Sequence, residues 1–99
     1  MATYIMLFSF TKQGMMNIKE SPARVEAARK TCQTTGAKVK DFYAVTGMGQ
    51  YDTLFVLEAA DDEAIAKAAL AIGSLGNVRT KTHRAFTEAE YKRIVAALP

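Results

Sequence analysis

Apolar and polar positions alternate along the chain in four strand-like and three helix-like runs. Thr3–Thr11 has a period of two: Tyr4, Met6, Phe8 and Phe10 share one face, with Ile5 and Leu7 on the other. Apolar residues on both faces predict a central strand covered on both sides. Thr11-Lys12-Gln13-Gly14 closes this strand, and the period then changes. Ser21-Pro22 predicts a helix start, because serine can accept from free amides of the first turn and proline loses nothing at the first helical position. Val25, Ala28 and Cys32 recur at helical spacing, while Arg24, Glu26, Lys30 and Gln33 face outward. Gly36 supplies the left-handed residue that ends the helix.

Two further strands are expected at Ala37–Thr46 and Tyr51–Ala59. In the first, strict alternation places Val39, Asp41, Tyr43 and Val45 opposite Lys38, Lys40, Phe42, Ala44 and Thr46. In the second, Tyr51, Thr53, Phe55 and Leu57 oppose Asp52, Leu54, Val56 and Glu58. The glycine-rich turn between them predicts an antiparallel hairpin. Asp61, followed by Asp62 and Glu63, complements the dipole of a second helix with a stripe of Ile65, Ala68, Ala69 and Ile72. Gly73–Gly76 breaks it. Asn77–Phe86 is the fourth strand, in which Val78, Thr80, Thr82, Arg84 and Phe86 alternate with Arg79, Lys81, His83 and Ala85. Thr87 and Glu90 have the spacing of a capping box, and Tyr91, Ile94, Val95 and Leu98 line one side of a last helix.

This order predicts an α+β, ferredoxin-like βαββαβ fold with an extra C-terminal helix: a four-stranded antiparallel sheet with two helices on one face. Strands one and three are apolar on both faces, so the second face needs a cover. A second copy of the sheet is the simplest one, which predicts a homodimer packed sheet to sheet as a dimeric α/β barrel. A trimer with edge-to-edge sheets is the alternative. Tyr4, Phe8, Tyr43 and Phe55 are the aromatic residues expected between the sheets.

At 99 residues the chain has the size of one domain, residues 1–99. The net charge of +3 is spread from Lys12 to Arg93 with acids between, which argues against a nucleic-acid partner. Cys32 is the only cysteine, so no internal disulfide is possible. No signal-peptide pattern or membrane-length apolar run is present, and a cytoplasmic setting without membrane partners is expected.

Several blocks together carry a family likeness: Gln13-Gly14, Asn17–Pro22, Gly49-Gln50-Tyr51-Asp52, Gly73–Thr80 and Arg84-Ala85-Phe86. With these, in this order from end to end, the chain resembles the GYD domain family of small bacterial and archaeal proteins. The resemblance implies an α/β-barrel-like domain and no agreed activity.

Candidate chemistry is sparse. Asp52, at a strand end, could accept a proton or bind a cationic ligand. Equally, it could bond turn amides while Tyr51 packs. Thr80, Thr82 and Arg84 share a strand face and suggest a polar pocket for an anionic ligand, joined by Tyr43 and Asp41. The competing reading is that Arg84 pairs with Asp41, Asp52 or Glu58. His83, the only histidine, is a second candidate base. One His and one Cys on separate elements lack metal-ligand spacing, so no metal or cofactor is expected. Met15, Met16 and Met48 more simply fill gaps or an interface. Three function classes follow: a small-ligand-binding or regulatory module, a structural assembly protein, and a cofactor-free enzyme using Asp52 or His83 as base with Arg84 as oxyanion donor.

Overall fold

A computed structural model of the chain describes residues 1–99. Strand β1 (Ala2–Phe10) leads into a short helix α1 (Lys12–Met16), one 3-10 turn at Ile18–Glu20 and helix α2 (Ser21–Thr35). The hairpin β2 (Ala37–Ala44) and β3 (Thr53–Ala59) follows, then α3 (Asp62–Gly73), β4 (Val78–Ala85) and α4 (Glu88–Ala96). The sheet order is β2-β3-β1-β4, with every neighbouring pair antiparallel. With β1 and β3 at its centre, this is the ferredoxin-like arrangement.

Local chemistry explains the element ends. Gly36 closes α2 at φ 99°, a left-handed conformation in which a Cβ is unfavourable. Asp61 caps α3 by accepting from the Ala64 amide at 2.9 Å. Thr87 and Glu90 form the reciprocal capping box at the head of α4. One expectation is corrected here: Ser21 is the first residue of α2 rather than its cap, and Glu20 precedes it without a side-chain bond.

The helix-side face of the sheet forms the core. Tyr4, Met6 and Phe8 of β1 and Phe55 and Leu57 of β3 pack beneath Cys32 of α2 and Ile65, Ala68 and Ile72 of α3. Phe55 stands edge-on to Phe8, with ring centroids 5.2 Å apart, and to Phe42 at 6.0 Å. Tyr4 reaches the edge of this core and donates its hydroxyl to Asp62. Tyr4, Phe8 and Phe55 therefore lie under the helices, not in the space that a second sheet would fill. Of the four aromatic residues expected there, Tyr43 alone faces that way. The open face instead carries aliphatic side chains, Ile5 and Leu7 from β1 and Leu54 and Val56 from β3.

A bulge corrects the predicted faces of β2. Val39 pairs with Leu57 and Asp41 with Val56, which leaves Lys40 as an extra residue. Strict alternation groups Val39 with Asp41 and Tyr43. The extra residue turns Asp41 and Tyr43 to the open face and carries Phe42 to the core, opposite Phe55.

Candidate functional site

Four of the five segments that carry the family likeness meet at one end of the sheet, where β1 ends and β4 begins; Arg84-Ala85-Phe86 lies at the other end of β4. Thr11 caps α1 by accepting from the Gly14 amide at 3.1 Å, and its hydroxyl donates to the Gly76 carbonyl at 2.6 Å. The Thr11 amide donates to the Asn77 carbonyl at 3.1 Å. The Gln13 amide group reaches the Leu75 carbonyl at 3.3 Å and Asn77 Oδ1 at 3.0 Å. Gly14 is buried against this loop so tightly that a Cβ there would lie 2.0 Å from the Asn77 carbonyl oxygen. Only glycine lets α1 approach the backbone this closely. Behind it, Arg24 donates to the carbonyls of Asn17 at 2.8 Å and Gly14 at 3.1 Å.

The glycine-rich turn joins the same end. The Asp52 carboxylate accepts from the Phe10 amide at 2.8 Å, and the Asp52 amide donates to the Phe8 carbonyl at 2.9 Å. The Ser9 hydroxyl donates to the Gln50 carbonyl at 3.1 Å. The Asp52 carbonyl receives the Val45 amide at 2.8 Å and the Thr46 hydroxyl at 3.0 Å. Asp52 thus continues the β1–β3 ladder past the formal strand and holds the hairpin tip to β1.

Between these segments lies a polar cleft of about 530 Å³, open to solvent. Its walls are Ser9–Lys12 from β1 and α1, Gln50 and Tyr51 from the turn, and Arg79–Lys81 from β4. A narrow apolar cleft of about 80 Å³ opens beside it on the helix side, lined by Phe10, Val25, Ala28, Phe42, Leu75 and Val78. There α2 stands off the sheet, leaving Val25 and Ala28 only half-buried.

The site residues read from sequence are divided among several places. Tyr51 and Thr80 line the polar cleft, and Asp52 braces it. Thr80, Thr82 and Arg84 do share a face, the helix side, where they pair with Phe8, Met6 and Tyr4. Tyr43 and Asp41 lie across the sheet on the open face of edge strand β2, so they cannot join a pocket with those three. His83 is exposed on the open face opposite Ile5. Arg84 pairs with none of the three acids expected for it. It sits 3.8 Å from Glu90, with its guanidinium 4.5 Å from the Phe86 ring centroid and 5.8 Å from that of Tyr4. The Thr87 amide hydrogen bond, helped by Arg84, holds the Glu90 carboxyl below its usual range. Lys12, Arg79 and Gln50 were not among the residues singled out. The signal for α1 was present as Thr11 three residues before Gly14, a capping spacing.

Helix α4 projects from the opposite end. It packs against no other helix or strand to any extent, and its apolar stripe stays open: Tyr91 is 62% exposed, Ile94 39% and Val95 45%, while Leu98, expected on the same stripe, lies past the helix end and is 64% exposed. The molecule accordingly measures 50 × 31 × 18 Å, and its radius of gyration of 14.6 Å exceeds the roughly 13 Å of a compact chain of this length.

A ferredoxin-like sheet with a pinned glycine hairpin and a projecting helix defines a small α+β module. The chain belongs to the GYD domain family, whose model matches residues 4–95. It is also similar to a Thermus thermophilus protein described as "Glutamine synthetase and cystathionine beta-lyase binding protein". The two are 33% identical over 91 residues, which span 91% of this chain and 94% of that protein. Family and relative together support a small binding or regulatory module. No helix is long and apolar enough to cross a membrane.

Proposed function

We propose that this chain is a homodimeric docking module that binds partner enzymes of the kind its relative is described as binding, glutamine synthetase and cystathionine β-lyase, and that α4 is the docking element. The observation that carries this reading is the exposed stripe of Tyr91, Ile94 and Val95 on a helix whose apolar side no other element covers, with Leu98 exposed just past its end. Residues at i, i+3 and i+4 are among the anchors by which an amphipathic helix enters an apolar groove. The capping box and the Arg84–Glu90 pair fix the base of α4, which lowers the ordering cost of docking. Ile5, Leu7, Leu54 and Val56 on the open sheet face support the second copy. They offer a flat aliphatic centre, with His83 on one flank and Asp41 on the other for a two-fold partner to pair in reverse. The lone thiol of Cys32 fits a reducing, cytoplasmic setting.

Binding to purified glutamine synthetase and cystathionine β-lyase from the chain's own source tests the reading, with the double variant Ile94→Glu, Val95→Glu alongside. Two buried aliphatic anchors contribute on the order of 3 kcal/mol, so the variant should bind at least about 100-fold more weakly. Light scattering should report the same copy number for both forms. Equal binding by the variant, no binding of either enzyme by the native chain, or loss of the dimer in the variant would overturn the assignment.

A further inference from the structure

We propose that the polar cleft at the end of β1 is a binding site for a small multivalent oxyanion, a metabolite bearing phosphate or clustered carboxylates. This inference is independent of enzyme docking, since α4 begins at the far end of β4.

Three cations line this one concavity: Lys12 from α1, and Arg79 and Lys81 from β4. None has a carboxylate partner. The ion pairs of the chain are Arg29–Glu26, Lys40–Glu58, Lys67–Glu63, Arg84–Glu90 and Lys92–Glu88, all elsewhere. The carboxylate nearest in sequence to the cleft wall, Asp52, is engaged by the Phe10 amide. Three unpaired cations thus share one concave place, where their positive potential is focused.

The walls are also built. The Ser9–Gln50 and Phe10–Asp52 bonds hold the turn that presents Tyr51, and the Thr11–Gly76 and Thr11–Asn77 bonds hold the start of β4 and the head of α1. The backbone positions that carry the cations are thus fixed before any ligand arrives, unlike lysines on a free helix face. Arg79 supplies a planar fork for an oxyanion, Lys12 and Lys81 supply point charges, and the Tyr51 hydroxyl supplies a neutral donor. A ligand with one charge leaves two cations unmatched, which is why the site selects multivalent anions.

The test is amide NMR of the full chain titrated with inorganic phosphate and, separately, with citrate, at ionic strength held constant with sodium chloride. Saturable shifts confined to Ser9–Lys12, Gln50–Tyr51 and Arg79–Lys81 are expected with one or both anions, and the stronger response identifies the ligand class. The double variant Arg79→Gln, Lys81→Gln should weaken binding at least about tenfold while its melting temperature stays close to that of the native chain. Three outcomes would each overturn the proposal: no saturable shift in the native chain, equal shifts beside Lys30, Lys67 and Lys92, or unchanged affinity in the variant.

Discussion

Replacing Asp52 by Ala removes one interaction and leaves its neighbours in place. The Asp52 amide and carbonyl keep their bonds to Phe8, Val45 and Thr46. What is lost is the carboxylate that accepts the Phe10 amide at 2.8 Å. A hydrogen bond to a charged acceptor contributes about 1.5–3 kcal/mol, and Phe10 is only half-buried, so water recovers part of it. The expected loss is about 2 kcal/mol, or roughly 10 °C in melting temperature for a domain of this size. Asp52→Asn keeps a neutral carbonyl acceptor and should lose about 1 kcal/mol. Urea unfolding followed by circular dichroism gives both values, provided the slope against denaturant is unchanged. A carboxylate reserved for catalysis behaves oppositely, because removing it leaves stability unchanged or raised. A loss below about 0.5 kcal/mol in Asp52→Ala would therefore refute its role as the pin of the hairpin and restore it as a candidate base.

Other substitutions and conditions probe the remaining links. Gly14→Ala should destabilise the fold by about 1–3 kcal/mol, because its Cβ would drive α1 away from Asn77; denaturant unfolding would show this. Phe55→Ala empties the centre of the aromatic cluster and should cost about 3–5 kcal/mol, a large share of the roughly 5–15 kcal/mol that holds such a domain together. The Cys32 thiol, fully buried and pushed up to about 11 by desolvation, should react with Ellman's reagent at pH 8 only as fast as the chain opens. The Glu90 carboxyl is held below its ordinary 4.5, so its capping contribution is complete above that value and is lost as pH falls through the lower folded value. Helical signal from α4 should fray over that acid range in the native chain, and a Thr87→Ala variant should show the same fraying already at neutral pH.

The regular parts of this architecture were legible because each carries its own local signal. Gly36, Asp61 and the Thr87–Glu90 pair mark helix ends through their own chemistry, and the period-two runs place β1 and β3 without tertiary information. The faces of β2 were not legible, because one unpaired residue at Lys40 reverses every side chain after it and nothing in the local sequence announces a bulge. Helix α1 is absent from the elements expected, because five residues are too few to show a helical stripe. The site was harder still. Thr80, Thr82 and Arg84 do share a face, as their spacing requires, but Tyr43 and Asp41 lie on the other side of the sheet. The cleft is assembled from Lys12, Gln50 and Arg79, which are far apart in sequence and meet through backbone hydrogen bonds that no spacing rule predicts. Arg84 found Glu90 because the capping box holds α4 beside the end of β4, a proximity invisible before the two elements are placed.

On the reading proposed above, α4 is the surface by which this chain grips a partner enzyme. Hydrogen–deuterium exchange of the chain, alone and bound to glutamine synthetase, tests it most directly. Alone, the amides of α4 should exchange quickly, since nothing covers the helix; in the complex, protection should rise most at Tyr91–Leu98. Protection confined to the open sheet face or to the polar cleft, with α4 exchanging as in the free chain, would rule out docking through α4.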